Sequence, residues 1–377
     1  MLLRAAVSAA CLIAVSGCAP QAGPEWTFST RRPMLLAGDS QALTPAVVND
    51  TVLFCGGYFW NGWSELHALA ASTGQLRWHV PVGSCEKPPV VVGTTAIQLA
   101  SQNHGAQYAA YGVDVASGGT RWTRDLGQLT FHAPLGGFLY VAAFKKPLRR
   151  VNAVTGDVES VELDNDPGKA SNERVWIAST SVGLLIGSGT SLWRLADPAE
   201  KAARIATLQA PVRDVESVAA DDNLLVVQSR DNEITTFAVD DGRVLWNRRF
   251  VRVLGAPAHL VDPIYGAPAA ADGLVFVNTF GAARYELLAL DGRTGNTAWS
   301  ARDGSFNPPT GPPAGSAAEL FVAGRNAVLI VDRKSGQITS RFPVAKEVTT
   351  SPSSYGDLLI FGTIDGALHA VRRTRPR

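Results

Sequence analysis

Residues with the reactivity for catalysis or metal binding are present in this chain of 377 residues, but their spacing sets none of them up for it. The six histidines are scattered, and His67 and His369 recur at one place of a repeated phrase, which marks them as structural. Asp164-Asn165-Asp166-Pro167-Gly168 is the nearest approach to an oxygen-ligand loop for Ca²⁺, yet it lacks the later ligand positions and reads as a surface turn. Gly187-Ser188-Gly189 is not followed by the third glycine of a dinucleotide loop, and neither a serine-hydrolase elbow nor a paired-histidine zinc motif occurs. The four cysteines, Cys11, Cys18, Cys55 and Cys85, stand at no metal-ligand spacing. The expectation is a protein with no catalytic constellation, no metal site and no cofactor. One aromatic bunch, Tyr58-Phe59-Trp60-Asn61-Gly62-Trp63, has the composition of a stacking platform or of a blade-packing loop.

The first residues carry an address. Arg4 precedes an apolar run, Ala5 to Val15, that is too short for a helix crossing a bilayer of about 30 Å, so 1–17 is expected to be a secretory signal peptide. Val15-Ser16-Gly17-Cys18 resembles the lipobox of bacterial lipoproteins. That resemblance implies a diacylglyceryl thioether and an acylated amino group on Cys18, enough acyl chains for stable anchoring. Ala19 stands where lipoproteins retained in the inner membrane usually carry aspartate, which points to the periplasmic face of the outer membrane. With Cys11 removed and Cys18 lipidated, Cys55 and Cys85 remain in an oxidising compartment and are expected to form a disulfide.

Composition fits many short strands and tight turns: 46% apolar, 18% charged, with 36 glycines and 22 prolines. The formal charge of +1 gives no field for nucleic acid or an anionic membrane surface. A local basic cluster, Arg372, Arg373, Arg375 and Arg377, reads as a solvated tail over 373–377.

Self-similarity supplies the fold. Leu66-His67-Ala68-Leu69 leads to Thr73-Gly74 and Trp78; Leu288-Ala289-Leu290-Asp291 leads to Thr294-Gly295 and Trp299. Further copies run through Asp114, Gly118 and Trp122, through Asp240, Gly242 and Trp246, and through Asp332 and Gly336, where Ser340 takes the tryptophan place. Asn152 with Gly156 lacks its tryptophan, and Leu192-Trp193-Arg194-Leu195 before Asp197-Pro198 is degenerate. Each phrase follows a Pro or small-residue segment, a turn and an apolar strand, and Pro45 to Pro352 spans seven intervals of about 44 residues, enough for four strands each. The expected fold is all-β: a single β-propeller of about eight four-stranded blades over 25–372, following a lipidated tether over 18–24. Thr-Gly or Ser-Gly sets a tight turn, and the tryptophan four residues on is expected to fill the gap between blades. The last repeat lacks its outer strand, whereas Glu25-Trp26-Thr27-Phe28-Ser29 reads as an outer strand without its three predecessors, so pairing the two would close the ring.

The phrases Ala-Leu-Asp-x-x-Thr-Gly-x-x-x-Trp, together with the lipobox, resemble the quinoprotein-type propeller repeat and, within it, the BamB-like lipoproteins of the outer-membrane β-barrel assembly machine. The resemblance implies a periplasm-facing, non-enzymatic scaffold, a monomer within a complex. It would bind a protein partner, the barrel-forming subunit of that machine, and assist insertion of outer-membrane proteins, with no nucleic acid involved. The family's partner surface uses an arginine entering the fourth blade, where this chain has Arg174, and an acidic pair entering the fifth, where Asp214-Val215-Glu216 stands. Arg174, Asp214 and Glu216 are therefore the expected partner-binding residues; the family's flanking leucines are replaced by Asn172-Glu173 and Val175-Trp176. Two alternatives stay open: a quinoprotein-like oxidoreductase, which shares the repeat, and an envelope-polymer or glycan-binding propeller using the Tyr58 to Trp63 aromatics.

Overall fold

The computed structural model describes residues 24–30, 44–58, 63–85, 87–102, 107–143, 146–164, 175–198, 201–212, 215–250, 264–281, 284–303, 313–316, 318–324 and 326–373. Eight antiparallel sheets follow one another, and none of the described residues is helical. Seven form blades from consecutive strands: blade 1 over 46–82, blade 2 over 84–127, blade 3 over 131–160, blade 4 over 176–212, blade 5 over 215–249, blade 6 over 264–301 and blade 7 over 314–343. Blade 8 takes three strands from 353–372 and its outermost from Trp26–Ser29. The result is the expected propeller, closed by the N-terminal strand.

Burial falls off from the second strand outward. Second strands are the most buried, along their whole length in Thr95–Ser101 and Leu358–Gly362, because a neighbouring blade covers each face of the sheet. Outermost strands alternate, as in Trp299, buried between exposed Ala298 and Ser300. That gradient explains why apolar runs mark the second strands and spaced tryptophans mark the outer ones.

The repeated phrase makes one joint used five times. In blade 6, Asp291 Oδ1 accepts from the backbone N–H groups of Arg293 (3.1 Å) and Thr294 (2.8 Å), and Gly295 completes the turn at φ +71°, a conformation side-chain-bearing residues rarely adopt. Trp246 of blade 5 lies on that glycine and donates its Nε1–H to Gly292 O at 2.9 Å. The same reach into the next blade joins Trp26 to Ala71 O, Trp78 to Val115 O, Trp122 to Ala153 O and Trp299 to Arg333 O, at 2.9–3.0 Å. Each indole so placed contributes on the order of 3 kcal/mol through burial.

Blade 4 departs from the pattern. Its middle element, Gly183–Leu195, would be about 40 Å long if straight. A Cβ on Gly183 would overlap the Leu195 carbonyl oxygen, so the element doubles back about Gly189 and supplies two legs of the blade. Neither of its seams uses the standard joint. Trp193 donates to Asp164 O at 2.8 Å at the seam with blade 3, and Ala206 with Thr207 packs on Gly242 at the seam with blade 5.

Closure is a register of four pairs: Trp26 with Ala370, Thr27 with His369, Phe28 with Leu368 and Ser29 with Ala367. Arg372 then pairs with Glu25 at 3.0 Å. Arg373 differs from the solvated tail expected for it. Its guanidinium binds Glu319 of blade 7 at 2.9 Å and lies 5.6 Å from the Phe321 ring centroid, so the ring holds it by charge and by aromatic contact. The signal peptide and Cys18 lie outside the described residues, as do Arg375 and Arg377.

Candidate functional site

The innermost strands of blades 4 and 5, Trp176–Thr180 and Val215–Ala220, lie side by side. Glu216 lies on the second of these strands, and in the sequence Arg174 stands two residues before the first strand and Asp214 directly before the second. Val215 pairs with Ser229 and Ser217 with Gln228, so the register skips Glu216 and leaves it in a β-bulge, exposed. A bulge re-aims its extra side chain out of the ladder. The bulge is pinned from below, where Ser217 Oγ donates to Oε1 of buried Gln228 at 2.9 Å. On the neighbouring strand, Trp176 is fully buried against Val215 and Leu225, directly after Val175. Gly187 exists to admit it, since a Cβ there would overlap the indole; this accounts for one glycine of the Gly187-Ser188-Gly189 run. Arg174 and Asp214 lie outside the described residues, so of the three expected partner residues the structure places Glu216 alone.

A second feature lies between blades 1 and 2. Cys55, in the second strand of blade 1, and Cys85, in the first short strand of blade 2, are joined as a disulfide with Cα atoms 6.3 Å apart, both buried. Blade 2 begins in two pieces, Ser84–Cys85 and Val90–Val92, both paired with Thr95–Ser101. Buried Gln98 spans the interruption by donating Nε2–H to Lys87 O (2.8 Å) and Leu99 O (2.9 Å). Of the neighbouring aromatic bunch, Tyr58 pairs with Trp63 through the backbone, and residues 59–62 lie outside the described residues.

The remaining candidates take structural places. Asp164, the described residue of the acidic turn, gives its carbonyl to Trp193, and residues 165–168 lie outside the described residues. His67 is buried against the Phe54 ring, 5.0 Å between centroids, and burial pulls its pKa down to about 4 against the opposing pull of Glu65. His369 is likewise lowered by burial, opposed by Asp365. Among the described residues no three His, Cys, Asp or Glu side chains converge as metal ligands.

A further set of polar links was hidden in the sequence. Asp222 accepts from Ser181 across the seam of blades 4 and 5 (Oγ to Oδ1, 2.6 Å), Asp221 accepts the Gly273 N–H of blade 6 (3.0 Å), and Asp272 pairs with Arg333 of blade 7. Their one signal is an acidic residue in the first turn of a blade, a position that composition also favours for ordinary turns.

Comparison with known proteins shows what the ring is similar to. A family model described as outer membrane protein assembly factor BamB matches residues 21–160 and 178–310. Outer membrane protein assembly factor BamB of Shewanella oneidensis is 24% identical over 251 residues, which cover 63% of this chain and 58% of that protein. Among solved structures, the computationally designed Ika8 protein superposes with a TM-score of 0.64 at 14% identity, over 91% of this chain and 100% of that one. A europium-containing methanol dehydrogenase superposes with a TM-score of 0.61 at 12% identity, over 92% and 84%. At such identities the two structures share the fold alone.

Proposed function

Since the chain belongs to the BamB family of outer membrane protein assembly factors, we propose that it is a non-enzymatic scaffold that binds a protein partner on the face where blades 4 and 5 begin. In this reading Cys18 carries lipid, the ring faces the periplasm from the outer membrane, and the partner is the barrel-forming subunit of the assembly machine. The observation that carries the reading is the bulge at Glu216. Register shifts recur around the ring, and the one between Val215 and Ser217 turns a carboxylate outward at the start of an innermost strand, beside the neighbouring innermost strand Trp176–Thr180. In the sequence Arg174 and Asp214 come just before these two strands and add charges of both signs. Mixed charges fix the orientation of a polar partner domain, and removing one member of a desolvated pair costs about 2–5 kcal/mol of binding.

Affinity capture of the mature lipidated chain from envelope extracts tests this. The wild type should recover barrel-assembly subunits, and R174E should lose them at unchanged melting temperature. Recovery of a quinone or an envelope polymer in their place supports the oxidoreductase or the polymer-binding reading. Undiminished capture by the doubly reversed R174E/D214K variant removes the site while leaving the ring intact.

A further inference from the structure

The closing strand is held between two histidines. On one side, within blade 8, His369 Nδ1 lies 3.0 Å from Thr27 Oγ1 and its Nε2 lies 3.1 Å from Thr363 Oγ1. Thr363 directs its own hydroxyl at Asp365 Oδ1 (2.7 Å), so its oxygen is left to accept from His369 Nε2–H. The neutral ring therefore offers Nδ1 as acceptor to the Thr27 hydroxyl. A second proton on the ring turns that acceptor into a donor, so the Thr27 hydroxyl has to rotate and accept, and the half-buried ring takes on a charge that its burial disfavours.

On the other side, in blade 1, His67 meets the edge of Phe28 at 5.8 Å and stacks on Phe54. It is 5% exposed, and its Nδ1–H donates to Glu65 O at 3.0 Å. A proton on Nε2 puts a cation into a largely aromatic enclosure. The charged and titratable groups around the two rings are few. Glu65 (3.5 Å) faces His67, with His79 beyond it at 3.4 Å from Glu65. Asp365 faces His369; Glu25, Arg372 and Asp357 lie at the end of the seam, and Glu347 accepts the Ile364 N–H through its carbonyl. Glu65 and Asp365 favour the charged rings, His79 opposes, and burial outweighs the carboxylates at both sites.

We propose that this seam is an acid-released clasp: protonation of His67 and His369 frees the strand Trp26–Ser29 while blades 1–7 keep the pairing of their own strands. The strand is the element best suited to leave alone, because it is four residues long and joined through the chain to no other strand of its blade.

Hydrogen exchange of the full-length mature chain at pH 7 and pH 5, corrected for intrinsic rates, reads the opening directly. With His67 near 4 when closed and at its ordinary value when open, amides of the closing strand should lose about twenty-fold in protection between the two pH values. Amides of Leu224–Ser229 in blade 5 should stay the better protected at both pH values, since they exchange only when more than the seam opens. The H67F/H369Q variant should hold its seam protection at pH 5. Equal loss in that variant, or exchange of the closing strand no faster than that of blade 5 at pH 5, overturns the clasp. If the double variant does not fold, titration of the imidazole C–H resonances of the wild type decides: ordinary pKa values for both rings overturn it, and depressed values coupled to seam opening support it.

Discussion

The indole of Trp122 occupies the space in which a side chain on Gly156 would stand: a Cβ there would lie 2.6 Å from Trp122 Cδ2. Gly156 also sits at φ +73°, so two demands coincide on one residue. Gly93 has φ +60° with open space around it, which separates the demands. Gly93→Ala should cost about 1 kcal/mol for backbone strain, whereas Gly156→Ala should cost about 2–4 kcal/mol because the ring must move as well. Chemical denaturation of the two variants tests the difference, and equal losses would show that the indole is not wedged on the glycine.

Closure by the N-terminal strand predicts a strong effect of truncation. A chain beginning after Ser40 keeps every strand from Ala46 onward but leaves Ala367–Arg372 as a bare edge. It should aggregate or melt well below the full chain. A monomer with an unchanged melting temperature would show that blade 8 is complete without Trp26–Ser29.

The Cys55–Cys85 bond encloses 30 residues of sequence and ties blade 1 to the interrupted first strand of blade 2. Cross-linking a loop of that length is worth about 3–4 kcal/mol in the chain-entropy model. C55A/C85A should lose about that much in denaturant unfolding, and thiol titration of unreduced wild type should find neither cysteine free.

Stability should fall in two separate acid steps. His67 binds its proton less readily folded than unfolded, so its contribution is fully present above about pH 6.5 and is lost as pH falls towards 4, about 3 kcal/mol in all. The turn aspartates act lower. Asp114 is held to about 2 by the backbone and hydroxyl hydrogen bonds of Ser117 and by Arg121, and Asp291 and Asp332 are lowered by the hydroxyls and amides of Thr294 and Ser335. Their contribution is present above the ordinary carboxylate range and disappears below it. H67F should shrink the upper step to the part that His369 supplies and leave the lower step unmoved in a pH series of unfolding curves.

Much of this architecture could be read from residue order because one joint is repeated. Asp or Asn, then Thr-Gly or Ser-Gly, then Trp encodes both a turn and the contact it makes with the preceding blade, so finding the phrase locates the seam. Blade 4 escaped that reading. Trp193 stands in an inner leg of its blade and reaches back to Asp164, and nothing in its spacing distinguishes a backward reach from a forward one. Glu216 was singled out through family resemblance alone, and its bulge could not be foreseen, since a register break belongs to the pairing of two strands and leaves no mark on either. The histidines were legible as a recurrence, but that they flank the closing strand follows from the ring being shut.

The partners across the seam, Thr27 and His369, are 342 residues apart in the chain. Synthesis delivers the first of them 342 residues before the second, and over that whole interval Trp26 has no berth. Bringing two such distant segments together costs about 5 kcal/mol of chain entropy, against a few hydrogen bonds and two aromatic rings. An identical strand from a neighbouring copy meets no such cost once copies are crowded. Ring closure is therefore a race between self and neighbour, and crowding during folding should yield exchanged dimers that dilution of the folded protein does not undo.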